Sequence, residues 1–419
     1  MYYDRFIHVF RCFALSFWMF FLGIGNSYSL DWQTSIHTTL KHNSALVYDH
    51  NGNMLFSHNA DQQMVPASIL KLATADAVLT LLGSDYKIPT EFYLTTDNYL
   101  AIKGFGDPTL VSETLADIAK VLKKSLQAKK LKGFLFDTTF FAQQLSVHGQ
   151  SNSDNPYDSS LGALVANYNT VNVYKAKSGV ISSAEAQTPI TATAIMAAKK
   201  TPTGKHRINL GQQETKTLQH FAELMQIFLQ RQNITIPATM VHSPIPKSAK
   251  IIHTHYSPPV SQIIKTLFVY SNNFIANQLL IVLGGVKKGA PADLEKGRQV
   301  LDDFLRKVVG MTYFTLDEGS GLSRNNKINA VEMMSLLIHF LPHRDLLRNY
   351  QHRFQAKTGT LRGVATLAGY MLSPKGKPYP FVIMLKNPSS GLMRKKIANQ
   401  LYQGIFSQIL AKKLSYNNE

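Results

Sequence analysis

Three short segments carry side chains that could carry out acyl transfer together. The first, 66–83 ("PASILKLATADAVLTLLG"), is small or apolar almost throughout, yet it sets Ser68 and Lys71 three residues apart near its start. On a helix, i and i+3 share a face, and a helix apolar all round is buried. Burial disfavours the ammonium, so the Lys71 pKa should fall. A neutral amine beside a hydroxyl is a general base beside a nucleophile. Backbone N–H groups at the helix start favour the negative charge that develops. The competing reading is a helix-start serine with a lysine that snorkels to water, and S-x-x-K alone is a common chance pattern.

The second segment, "YSNNFIANQ", puts polar Ser271 and Asn273 inside an apolar helical stretch. Such residues offer local backbone bonds that compete with helix. They read either as a break between two helices or as a proton-relaying hydroxyl with a substrate-orienting amide. The third, "AKTGT" (356–360), opens a strand. Lys357, Thr358 and Thr360 could bind a carboxylate there, and Gly359 would let a ligand approach the backbone. The competing reading is an ordinary edge strand.

Taken in order, the three match the S-x-x-K, S-x-N and K-T-G elements of serine penicillin-recognising enzymes. The sequence resembles the class C low-molecular-mass penicillin-binding proteins, the D-alanyl-D-alanine carboxypeptidase/endopeptidases of peptidase family S13, or penicillin-binding protein 4 type. The resemblance covers essentially the whole chain after residue 29. It extends to "GFGDPTL" (104–110) and "GSGLSR" (319–324). Ser68 and Ser271 lie 203 residues apart, far more than in small class A β-lactamases, and no E-x-x-L-N segment is present. Glu318 stands where the family usually has aspartate, and Phe105 replaces a family glycine.

The resemblance implies roles. Ser68 attacks the carbonyl between two D-alanines and Lys71 takes its proton. Ser271 and Asn273 help protonate the leaving amine and hold substrate. Lys357 and Thr358 bind the terminal carboxylate, beside Gly359. The N–H groups of Ser68 and Thr360 form the oxyanion hole. Peptidoglycan is the implied substrate, β-lactam antibiotics are covalent inhibitors, and no cofactor is implied. The alternative on the same scaffold is a β-lactamase or esterase, which would release penicillin quickly.

Other elements must position these groups. "SALVYDHNGNMLFSH" (44–58) reads as a hairpin about Asn51-Gly52, and three strand candidates occupy 352–359, 364–372 and 379–386. These five predict one antiparallel sheet in an α+β, β-lactamase/transpeptidase-like domain. Helices at 66–83 and 257–341 cover one face and a terminal helix at 391–413 the other. Residues 84–252, with mixed strands and two amphipathic helices, read as an inserted α/β region; it is somewhat short beside the insertion of the family it resembles, and the resemblance then implies a reduced third small domain. The expected organisation is therefore a leader (1–29), a discontinuous catalytic domain (30–83 and 253–419) and the insertion (84–252).

The leader has a basic start, fourteen mostly apolar residues (12–25), and Ser27 and Ser29 at signal-peptidase spacing. It reads as a secretory signal, short for a span of roughly 20 residues, and implies a periplasmic protein. Cys12 is the only cysteine, so no disulfide framework holds the fold. Net charge is +18. No basic run interleaves with aromatics as in nucleic-acid readers. The charge suits either anionic wall polymers or lipid headgroups or simply a solvated basic surface, and Arg394, Lys395, Lys396, Lys412 and Lys413 suggest peripheral membrane contact by the terminal helix. A zinc peptidase has only "HTH" (His253, His255) in its favour, without a helical metal motif. These two read as loop histidines.

Overall fold

The computed structural model describes residues 32–416 apart from 128, 151, 152 and 154, with side chains described as far as residue 411. The expected leader with Cys12, and the side chains of Lys412 and Lys413, lie outside the described residues.

Helix α1 (32–40) buries Ile36 and Leu40. The expected hairpin follows, with β1 (Ser44–Tyr48) antiparallel to β2 (Met54–His58). Its loop is folded by Asp49, whose Oδ1 accepts from the N–H groups of Asn51 and Asn53 at 2.8 Å, an Asx-type turn. Gly52 supplies the left-handed residue, φ 89°. A 3₁₀ turn (Ala67–Leu70) then runs into α2 (Lys71–Leu82), so the segment read as one helix begins with a tighter turn. Buried residues continue from Lys71 through Leu79.

The central region builds two further sheets. Strands β3 (Pro89–Leu94), β4 (Tyr99–Gly104) and β5 (Gly133–Asp137) surround α3 (Ser112–Leu126). Strand β5 stops at Asp137 because Oδ1 of that residue accepts from both N–H and O–H of Thr139, turning the chain. Next come β6 (Thr170–Lys175), β7 (Ile181–Ser183), α4 (Ala192–Ala198) and β8 (Gly204–Asn209), a small three-stranded sheet with one helix. Helix α5 (Glu214–Gln230), β9 (Met240–His242) and β10 (Lys250–Tyr256) complete a mixed sheet of order β10-β3-β4-β5-β9. Its core packs Phe92, Phe134 and Phe136 against Leu122 of α3 and Phe221 of α5. His253 and His255 are therefore strand residues, opposite Phe92 and Thr90, and not loop residues. The 252/253 boundary drawn from the sequence lies inside this strand.

Helices α6 (Val260–Tyr270), α7 (Asn273–Lys288) and α8 (Leu294–Phe304), the short pair β11 (Phe314–Thr315) and β12 (Lys327–Ile328), and α9 (Ala330–Phe340) lead to the last strands. These are β13 (Arg348–Tyr350), β14 (Phe354–Leu361), β15 (Val364–Leu372) and β16 (Pro378–Lys386), before α10 (Met393–Tyr416). The antiparallel main sheet has six strands in the order β13-β14-β15-β16-β1-β2, one more than expected. The addition, β13, is three mostly polar residues, too short to show alternation. The two ends of the chain join where Ser44 to Val47 pair Met384 to Phe381.

Alternate side chains of the main sheet serve two layers. Leu46, Ala368, Tyr370, Val382 and Met384 face α2 and α6–α9. Ala45, Leu367, Phe381, Ile383 and Leu385 pack on α1 and on Ile397, Leu401 and Ile405 of α10. Each large apolar side chain buried contributes about 1.5–3 kcal/mol, which lets this sandwich stand on packing alone. No helix among the described residues is long and apolar enough to cross a membrane.

Candidate active site

Ser68 and Lys71 meet at the junction of the 3₁₀ turn and α2. In a 3₁₀ turn i and i+3 eclipse, and Lys71 Nζ lies 2.9 Å from Ser68 Oγ. The backbone at Ala67, just before Ser68, is left-handed, φ 49°. Neighbours hold that uncommon conformation. Thr366 Oγ1 donates to Pro66 O at 2.7 Å. Gly321, φ 80°, sits so close that a Cβ there would be 1.9 Å from Ala67 O.

Lys71 has no solvent exposure. Its Nζ also reaches Asn273 Oδ1 and Ser320 O, each at 2.6 Å. Those two oxygens can only accept. A neutral amine would donate to both and turn its lone pair to the Ser68 hydroxyl. Burial first, and then the charge of Lys357, push the Lys71 pKa well below its ordinary value, and Glu318 opposes them.

The second segment forms the break between two helices that the sequence allowed. Ser271 is left-handed (φ 52°, ψ 39°) and ends α6, while Asn272 Oδ1 caps α7 at Ile275 N. The break aims Ser271 at the strand: Lys357 Nζ donates to Ser271 Oγ and to Thr358 O, both at 2.7 Å. Lys357 is 2 % exposed. Its pKa falls to about 7, through burial and then through Arg394. At Gly359 a Cβ would stand 2.8 Å from Ser68 N and 2.9 Å from Pro66 O, so glycine is needed here for close approach. Ser68, Lys71, Ser271, Asn273, Lys357 and Gly359 are thus one cluster. Thr358 and Thr360 lie beside it, Thr358 lining a separate cavity and Thr360 Oγ1 accepting from Arg394.

Three participants were not legible as site residues. Ser320 supplies a backbone carbonyl, which no side-chain pattern reveals. Glu318, 1 % exposed, accepts from Asn277 Nδ2 (3.0 Å), Asn326 Nδ2 (2.8 Å) and the N–H and hydroxyl of Ser320 (2.8 and 2.5 Å). Asn277 lies one turn after Asn273 on α7, a spacing that could have flagged it. Arg394, read from the sequence as part of a basic surface helix, turns toward the strand and donates to Gly359 O. Among the described residues no group of three metal-ligating side chains occurs.

The family model described as the D-Ala-D-Ala carboxypeptidase 3 (S13) family matches residues 37–354 and 341–405. The chain belongs to this family. It is accordingly a serine-type D-Ala-D-Ala carboxypeptidase, a hydrolase. A penicillin-sensitive carboxypeptidase A of Dictyostelium discoideum is 25% identical over 410 residues, covering 77% of this chain and 76% of that protein. A D-alanyl-D-alanine carboxypeptidase of an Actinomadura strain is 25% identical over 402 residues, covering 78% and 74%. Penicillin-binding protein 4 of Haemophilus influenzae shares the fold, with TM-score 0.71 at 20% identity over 88% of this chain and 99% of that one.

Proposed function

We propose that Ser68 is the nucleophile and Lys71 its base, acting on the D-Ala-D-Ala ends and cross-links of peptidoglycan stem peptides. The observation that carries this is the three-oxygen cradle of Lys71. Two obligate acceptors occupy two of its bonding directions, and the third is left for Ser68. Lys71 takes the Ser68 proton as Oγ adds to the carbonyl. The N–H groups of Ser68 and Thr360 hold the oxyanion. The C–N bond then breaks, and the amine leaves with a proton delivered from Lys71 through Ser271. Water, deprotonated in turn, hydrolyses the acyl-enzyme and restores Ser68. Lys357 and Thr358 bind the carboxylate, and Asn273 orients both Lys71 and substrate. β-Lactams acylate the same Ser68.

The reading places the enzyme in the periplasm, exported by residues 1–29, with catalytic parts 30–83 and 253–419 around the insertion 84–252. Exposed Lys395 and Lys396 of α10 would give it a peripheral contact with anionic lipid.

The test is digestion of purified cross-linked wall fragments and a stem pentapeptide, with products identified by mass. Release of D-alanine and cleavage of cross-links, both abolished in Ser68→Ala, are expected. Activity retained in Ser68→Ala contradicts the assignment. Rapid release of intact-enzyme-catalysed penicillin hydrolysis product, without lasting label, would favour a β-lactamase instead.

A further inference from the structure

The small sheet of the central region is covered on one face and open on the other. Its middle strand is β6, where Tyr174 stands opposite Ser182 of β7 and Lys205 of β8, and Asn172 stands opposite Arg207 of β8. Successive side chains of a strand point to opposite faces. Val171, Val173 and Ile208 pack with Ala194 and Ala198 of α4, so Tyr174, Lys205 and Arg207 line the uncovered face. All three are exposed, Tyr174 by 42 %. Residues 170–209 carry six lysines and arginines against one acidic residue, Glu185. Glu185 accepts from Asn172 Nδ2 at 2.7 Å and from Thr188 Oγ1 at 3.2 Å. Among the described residues, no ion pair includes Lys205 or Arg207.

Arg207 connects this face to the acyl-transfer cluster. Its guanidinium lies over the Tyr168 ring at 5.8 Å, and its Nε donates to Thr170 Oγ1 at 3.2 Å. Tyr168 meets Phe274 edge-on, with ring centroids 5.9 Å apart. Phe274 follows Asn273, whose Oδ1 accepts from Lys71 Nζ. Tyr168 is the centre of three successive left-handed residues, Asn167 (φ 49°), Tyr168 (φ 60°) and Asn169 (φ 52°). Neighbours impose that conformation: Asn167 Oδ1 accepts from Ser112 N and Asn169 Nδ2 donates to Ser160 O, both at 2.9 Å. Tyr270, 76 % exposed and next to Ser271, acts electrostatically on Tyr168, as do Glu113 and the buried Asp107. Basic and aromatic side chains therefore continue from the open sheet face to the edge of the cleft.

Unpaired cations around an exposed tyrosine suit a partner that combines carboxylates with flat apolar surface. A glycan strand bearing stem peptides has both, since the C–H face of a sugar ring can lie flat on a phenol ring. We propose that the open face of this sheet is an accessory site for the peptidoglycan strand, where Tyr174 stacks on a sugar ring and Lys205 and Arg207 pair with stem-peptide carboxylates. This rests on the reading of peptidoglycan as the substrate. The strand passes Tyr168 and Tyr270 on its way to Ser271. Holding the polymer at a second place raises the effective concentration of its scissile bonds at Ser68.

The experiment sediments the full chain, its Ser68 first acylated by a penicillin, with purified insoluble peptidoglycan. It compares wild type, Tyr174→Ser, Lys205→Gln/Arg207→Gln and Lys123→Gln/Lys130→Gln, each checked for unchanged thermal midpoint. The last variant removes two exposed charges elsewhere on the central region. Penicillin-blocked wild type should bind. Tyr174→Ser and Lys205→Gln/Arg207→Gln should each weaken binding at least fivefold, and Lys123→Gln/Lys130→Gln less than twofold. Amidating the carboxylates of the peptidoglycan should cost wild type at least fivefold and Lys205→Gln/Arg207→Gln less than twofold. Equal losses in the two double variants would reduce the effect to net charge and overturn the site. So would undiminished binding by Tyr174→Ser, loss of wild-type binding on acylation, or tighter binding to phosphatidylglycerol vesicles than to peptidoglycan. Each of these leaves penicillin labelling of Ser68 standing, whereas failure of the label removes the acyl-transfer reading whatever the sheet face binds.

Discussion

Lys357 Nζ lies 2.7 Å from Ser271 Oγ, although 86 residues separate them in sequence. This bond joins the inter-helix break to the main sheet. Through Lys71, which touches both Ser68 and Asn273, it makes one network of three distant segments.

The network gives a pH signature. Lys357 titrates at about 7 in the fold, lowered from 10.5 by burial and then by Arg394. Between those values the unfolded chain holds a proton that the folded chain lacks, so this group makes stability rise with pH from about 7 toward 10.5. Carboxylate binding runs the other way, because it needs the charged amine. KM for a D-Ala-D-Ala peptide should rise about tenfold per pH unit above 7, and should lose this dependence in Lys357→Met. Steady-state kinetics from pH 6 to 9 at fixed ionic strength checks both.

Glu318 is the acidic group that holds up the charge of Lys71. Glu318→Gln should let the Lys71 pKa fall further, moving the rising limb of the kcat/KM profile to lower pH. The amide also cannot accept from all the donors around the carboxylate. The variant should lose about 3 kcal/mol of stability, measurable by denaturant titration.

Gly321→Ala would drive a methyl group into Ala67 O, 1.9 Å from the ideal Cβ, and would force a left-handed backbone on alanine. The turn carrying Ser68 must shift. Penicillin labelling should slow by more than a hundredfold, as expected when a reacting atom is misplaced by about 1 Å. Stopped-flow acylation measures this, and circular dichroism reports whether the fold survives.

Gln278 ties residues 106 and 162 of the central region to α7. Its Nε2 donates to Gly106 O at 3.1 Å and Gly162 O at 2.5 Å, all buried. Gln278→Leu leaves both carbonyls unpaired, at about 1–3 kcal/mol each. Hydrogen exchange should rise in 104–110 and 160–166, while β14 to β16 stay protected.

Much of this arrangement could be read from residue types. Ser68 with Lys71, Ser271 with Asn273, and Lys357 to Gly359 advertise themselves because each interrupts an apolar or strand pattern with chemistry. The Asn51-Gly52 hairpin and the two-layer sandwich follow from turn residues and period-two alternation. What escaped reading depends on distance in sequence. The Ser320 carbonyl carries no side-chain signature. Glu318 matters through partners on α7 and in its own loop. Strand β13 exists only because Phe354–Ala356 offers it an edge. Arg394 looked like one basic residue among several on a surface helix, and only the docking of α10 on the sheet turns it toward Gly359. The same local ambiguity hid β10, where histidines alternate within a strand.

The most direct measurement is mass mapping of the adduct formed with a penicillin. The account predicts one equivalent on the peptide containing Ser68, stable over the time of proteolysis, and none in Ser68→Ala. An adduct on another residue, or undiminished labelling of Ser68→Ala, would contradict it.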